Sequence, residues 1–166
     1  MAEAEQAPMR MRIDKIYLKD ASFESPASPQ IFVSTWQPEL KLDVNTRVTP
    51  LEGNLHEVVL TVTATALQED KPGFIAEVQQ AGIFLIEGGD AAQLAQVLGI
   101  ACPTTLFPYA REAADALVVK GGFPPLQLAP INFESLYMQA RENQAAEPNP
   151  EEGGSEPGSD PSRVTH

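Results

Sequence analysis

The chain is predicted to be an α+β protein in which a four-stranded antiparallel sheet is complete before the first helix begins. Three observations lead there. Residues 38–45, "PELKLDVN", and 55–67, "LHEVVLTVTATAL", alternate at period two, as strands do. The polar run "QEDKPG", Gln68 to Gly73, is turn chemistry between two long extended segments. Apolar residues at helical spacing appear only after Asp90, so no helix is available to carry a parallel crossover between strands.

The first strand is "RIDKIYLKDASFE", with polar Asp20, Ser22 and Glu24 at period two. The second sets Leu40, Leu42 and Val44 on one side against Lys41 and Asp43 on the other. The third sets Val58, Leu60, Val62, Ala64 and Ala66 against Val59, Thr61, Thr63 and Thr65, β-branched residues suited to a pleated surface. In the fourth, "FIAEVQQAGIF" from Phe74 to Phe84, both faces are mixed: Ile75, Glu77, Gln79, Ala81 and Ile83 on one, Phe74, Ala76, Val78, Gln80, Gly82 and Phe84 on the other. Such a strand needs something against each side.

Helices follow. Asp90 caps a short one, with Gln93 at capping-box spacing and Leu94, Val97 and Leu98 on its buried side, and Gly99 is expected to stop it. A longer helix runs from near Thr104 to Lys120 on a stripe of Leu106, Tyr109, Ala110, Ala113, Ala114, Leu117 and Val118, with Pro108 kinking it or lying in its first turn. A third opens with Asn132 as cap and carries Leu136, Tyr137 and Ala140. Residues 1–9 read as a flexible N-terminus, 10–144 as one domain, and 145–166, rich in Pro, Gly, Ser and Glu, as a disordered acidic tail that either solubilises or docks.

Composition removes whole classes of function. Acidic side chains number 23 against 11 basic ones, a net charge of −12, which repels nucleic acid and anionic lipid and draws basic protein surfaces instead. One cysteine and two histidines build neither an internal disulfide nor a zinc site, which suits a reducing cytoplasm. The N-terminus lacks the basic and apolar run of a signal peptide, and no stretch is apolar for the roughly 20 residues that span a bilayer. Cys102 in its apolar stretch reads as an inert thiol, and "EGGD" before the short helix lacks the lysine of a phosphate loop. No catalytic residues, metal ligands or cofactor are expected. The rival reading of Asp20, Glu24 and Glu77 is an acid/base or metal cluster, which makes the chain a small-ligand module or enzyme acting on the acidic sheet face.

The segments "RIDKIYLKDASFESP", "WQPELKLDV", "FIAEVQQAGIF", "CPTTLFPYARE" and "GGFPPLQLAPINFESLY" resemble, in order and spacing, the motifs of the SecB protein-export chaperone family over about residues 10–142. The resemblance implies a four-stranded antiparallel sheet with helices packed on one side. It also implies a cytoplasmic homotetramer built as a dimer of dimers, without enzymatic activity, that holds unfolded precursors for delivery to the SecA motor ATPase. On this reading Asp20, Glu24, Ile75 and Glu77 receive SecA, and Ala76, Val78 and Gln80 face helices or a neighbouring subunit. The client groove is carried by Leu40, Leu42 and Val44 together with Phe123, Leu126, Leu128 and Ile131 of a proline-rich connector. Each of these residues is equally readable as core. Trp36 either lines that groove or anchors the strand.

Overall fold

The computed structural model describes residues 5–146. Four strands form one antiparallel sheet in the order β1-β4-β3-β2: β1 (Arg10–Glu24), β2 (Glu39–Pro50), β3 (Leu55–Gln68) and β4 (Lys71–Glu87). The β3–β4 hairpin closes on Glu69 and Asp70, with φ of 52° and 62°, the paired left-handed geometry that matches the twist of two long strands. Helix α1 (Ala91–Gln96), a π turn over Val97–Ala101, and α2 (Cys102–Lys120) follow without a break, and α3 (Phe133–Ala146) closes the described chain. Of the ends read as flexible, residues 1–4 and 147–166 lie outside the described residues.

Register assigns the two faces. Residues directly opposite in a ladder share a face, so Leu42, Ala64, Ala76 and Phe23 make one inner row and Val44, Val62, Val78 and Ala21 the next. Against these rows α2 buries Leu106, Phe107, Ala110, Ala114 and Val118. Gly82 lies under the helix because a Cβ there would come within 2.7 Å of the Phe84 ring and 3.2 Å of Leu106. Strand β1 shifts register between Ile13 and Lys15 and again between Leu18 and Asp20. The second shift turns Asp20 outward, although Leu18, two residues earlier, points inward.

The capping box at Asp90 forms as expected, Gln93 N–H donating to Asp90 Oδ1 at 2.8 Å and Asp90 N–H to Gln93 Oε1 at 2.9 Å. Gly99 does not stop the helix. It sits inside the π turn because a Cβ there would lie 2.6 Å from the Tyr137 ring of α3, so its role is close approach of two helices. Pro108 lies in the interior of α2, which starts two residues before Thr104. Asn132 caps α3, accepting from Ser135 N–H at 3.0 Å.

The end of α2 sets the path of the connector that leads to α3. Gly122, with φ of 92°, is the left-handed residue past the helix; its N–H donates to Val119 O at 3.0 Å and Phe123 N–H reaches back to Val118 O at 3.1 Å. This Schellman turn presses Phe123 onto Val118 and into an aromatic cluster, with ring centroids 4.9 Å from both Trp36 and Phe74 and 5.0 Å from Phe32.

Cys102 is fully buried beside Met11, and burial pushes its thiol up to about 12. The native protein is therefore expected to resist maleimide at pH 8, and to react within minutes once unfolded in urea. Rapid labelling of the folded chain would contradict this burial.

Candidate functional site

Two open surfaces lie on opposite sides of the sheet. On the outer face Asp20 pairs with Gln79, Ser22 with Glu77 and Glu24 with Ile75, so the four residues expected to act together do share one face. Asp20 and Glu24 are exposed, and Glu77 and Ile75 are half-buried. Thr63, opposite Glu77 on β3, donates its hydroxyl to Glu77 Oε2 at 3.0 Å. Among the described residues none of the three carboxylates has an ion-pair partner, and no three His, Cys, Asp or Glu side chains converge as metal ligands would.

Next to this patch is a polar knot. Glu57 accepts from the Tyr17 hydroxyl and from Lys19 Nζ, the lysine reaching its two oxygens at 2.8 and 3.0 Å. The hydrogen bond from Lys19, then that from Tyr17, holds the Glu57 carboxyl below its ordinary value, while burial, then the bond to Glu57, pushes Tyr17 up to about 12. Tyr17, Lys19, Glu57 and Thr63 were not singled out from sequence. Their partners lie 14 to 40 residues away, and only the register joins them.

On the inner face, α2 covers β3 and β4 and leaves the edge strands partly open. Leu40 and Leu42 of β2 are 42% and 37% exposed, and Val44 is half-buried. Val44 lines a cleft of about 300 Å³ with Phe133, Leu136 and Tyr137. A smaller cleft of about 170 Å³ lies among Phe32, Trp36, Phe123 and Pro124. Trp36 stacks on Phe74 while one side lines this cleft, apart from Leu40, Leu42 and Val44. Gly73 makes room for it, since a Cβ there would fall 2.7 Å from the indole.

The connector residues divide. Phe123 and Leu128 are buried at 6% and 7% exposure, while Leu126 and Ile131 are half-buried and pack against the main core. The connector is pinned from α2 by Asp115, whose Oδ1 accepts from Leu126 N–H at 2.8 Å. Sequence reading passed over Asp115, a polar residue among the alanines of an amphipathic helix. Ala76, Val78 and Gln80 lie beneath α2 in the chain's own core, at 0%, 0% and 5% exposure. Gln80 finds the amide partner that its burial demands, donating from Nε2 to Tyr17 O at 3.0 Å.

The sequence and the fold have known counterparts. The family profile described as preprotein translocase subunit SecB matches residues 3–144. The protein-export protein SecB of Ectopseudomonas mendocina is 54% identical over 138 residues, 83% of this chain and 86% of that protein. The chain belongs to the SecB family. By that membership it is a protein-export chaperone. The SecB of Legionella pneumophila is 55% identical over 130 residues, 78% of this chain and 80% of that one. A SecB-like chaperone of Mycobacterium tuberculosis, solved in complex with a peptide from an antitoxin, shares the fold at a TM-score of 0.56, with 18% identity over 74% of this chain and 88% of that one.

In this SecB-family sheet the shifts of Glu57 and Tyr17 make the knot's contribution to stability depend on pH at opposite ends of the scale. Glu57, depressed in the folded state, contributes stability that is fully present above the unfolded value near 4.5 and is lost as pH falls through the lower folded value. Tyr17, raised in the folded state, contributes stability that is fully present below 10.0 and is lost as pH rises toward about 12. Urea midpoints measured across both windows should fall at each end. Glu57→Gln should flatten the acid limb and shrink the alkaline one, and an acid limb as steep in Glu57→Gln as in the wild type would assign it to other carboxylates.

Proposed function

We propose that the chain holds unfolded precursor proteins along the open inner face of β2 and its connector and presents the acidic outer face to the SecA motor ATPase. The observation that carries this reading is the chemical difference between the two sides of one sheet: exposed Leu40 and Leu42 of β2 inside, and outside, beside Ile75, carboxylates of β1 and β4 that have no ion-pair partner among the described residues. An aromatic client side chain brings about 150–250 Å² of apolar area, so full burial at ~25 cal/mol per Å² contributes roughly 4–6 kcal/mol before ordering costs. Side chains of any sequence satisfy such a surface, which suits a holdase. The carboxylates are spread over a flat, open face, which favours docking of a basic partner over a ligand pocket or catalytic centre.

Assembly as a homotetramer, a dimer of dimers, in the cytoplasm completes the reading. Strand β1 is an unpaired edge, and beside it Leu18 and Ala21 face Ala113, Ala116 and Leu117 of α2 across an open cleft of about 260 Å³. Tyr109 and Val119 continue the exposed apolar side of α2, at 51% and 52% exposure. This surface fits a second copy. Ala76, Val78 and Gln80 then serve assembly through the helix and strand they support, because their own side chains are enclosed. Four linked grooves raise the affinity for one long client through effective concentration. Residues 147–166, outside the described residues, carry five acidic side chains against one arginine.

Two variants separate the surfaces. Leu42→Arg should weaken binding of a reduced, unfolded protein about tenfold and leave SecA affinity unchanged. Glu77→Lys should slow SecA association, weaken it about tenfold at low salt, reduce its salt dependence and leave client binding intact. Surface plasmon resonance over a salt series, with client titration in parallel, reads both. Equal loss of both activities in either variant would contradict separate surfaces, and a sharp fall in melting temperature for Leu42→Arg would make Leu42 core.

A further inference from the structure

The connector between α2 and α3, residues 121–132, belongs to no strand and, past the Schellman turn, to no helix, so its backbone N–H groups need partners from elsewhere. Pro124, Pro125 and Pro130 carry none. One carboxylate supplies part of the deficit around Gln127. Asp115 Oδ1 accepts from two successive amides, Leu126 N–H at 2.8 Å and Gln127 N–H at 3.3 Å. One helical turn earlier, Arg111 Nη1 donates to Leu128 O at 3.5 Å. Gln127 is held at a φ of 50°, the left-handed region that a side chain enters at a cost, so this shape persists because its surroundings impose it. On either side of Gln127, Leu126 and Leu128 turn down into the core. The contacts fix backbone rather than side chains. They hold the segment that begins at Phe123 and Pro124, which wall the aromatic cleft with Trp36.

We propose that Asp115, assisted by Arg111, is a positioning residue for client binding: it preorganises the connector as a fixed wall of the groove, so that an unfolded chain meets a formed surface. This rests on the reading of the groove given above. Without the carboxylate, Gln127 relaxes out of the left-handed region and Leu126 and Gln127 lose their acceptor. The client then bears the cost of ordering the wall, which appears chiefly as faster release. Asparagine retains Oδ1 in place and keeps the two backbone contacts. Alanine removes them.

The test uses the full chain, with reduced and alkylated lactalbumin as the unfolded probe, at a temperature well below the melting point of each variant compared. Asp115→Ala should raise hydrogen exchange at the Leu126 and Gln127 amides and speed probe release about tenfold, and Asp115→Asn should restore both to within about twofold of wild type. Arg111→Gln, which leaves Asp115 in place, should shift both in the same direction by less, and it serves alone if Asp115→Ala does not fold. Faster exchange with unchanged release would overturn the proposal, as would unchanged exchange, or an asparagine variant as defective as alanine. Wild-type protein that fails to bind the probe would instead overturn the reading of the groove itself.

Discussion

An α-helix with its side chains is about 10–12 Å across, and strands in a sheet are spaced about 4.8 Å apart, so one helix laid along a sheet covers little more than two strands. Here α2 takes the two central ones. Its buried stripe meets Val58, Leu60 and Val62 of β3 and Val78 and Phe84 of β4, and the edge strands are covered only in part, Ile16, Phe23 and Val44 packing on the core while other inward residues stay open. On β2 that leaves Leu40 and Leu42, and on β1 it leaves Leu18, 52% exposed. In this chain the cleft beside Val44 of β2 is walled by Phe133, Leu136 and Tyr137 of α3, and beside β1 an open cleft separates Leu18 and Ala21 from Ala113 and Leu117 of α2. Both open regions follow from one deficit of cover.

The two chemistries are kept apart by the period of a strand. Leu42 and Asp43 are neighbours in sequence and point to opposite faces, as do Ala76 and Glu77. The Leu42–Ala64–Ala76–Phe23 row lies next to the Asp43–Thr63–Glu77–Ser22 row, with only the thickness of the sheet between an apolar face and a polar one that carries Asp43 and Glu77. A partner on one side therefore leaves the other open. The small residues Ala66 and Ala76 beside Phe123 give the inner side depth, because leucines there would fill the space that Phe123 and Trp36 occupy. The single continuous sheet also explains the mixed strand β4. Its inner face meets α2, and its outer face carries polar groups suited to a protein surface that meets solvent and partner in turn.

Much of this was legible in the sequence because it depends on local periodicity. The order of strands before helices, the capping box at Asp90 and the cap at Asn132 all follow from spacing within a few residues, and the structure contains each, while the turn read over Gln68–Gly73 narrows to Glu69 and Asp70, with Lys71 to Gly73 already in β4. The grouping of Asp20, Glu24, Ile75 and Glu77 on one face was also reached, yet it depends on a bulge at Lys19 that no periodicity reveals. Gly99 was misread as a helix stop because glycine serves two ends, a left-handed turn or a close approach, and only the position of Tyr137 decides between them. Asp115, Thr63 and the Tyr17–Glu57–Lys19 knot escaped notice for a related reason. Each acts on a partner made near only by the fold, and a lone polar residue on an amphipathic element reads as an ordinary surface residue until that partner is placed.

The central claim is that the cover missing over β2 is the place where an unfolded chain is held, with the sheet screening it from the outer face. Methyl-labelled protein observed by NMR during addition of an unfolded polypeptide tests this most directly, because leucine and isoleucine methyls report from both sides at once. The account predicts that Leu40, Leu42 and Leu126 shift and broaden while Ile75 and Ile83 on the outer face stay unchanged. Perturbation centred on Ile75 and Ile83, with the β2 leucines silent, would contradict it.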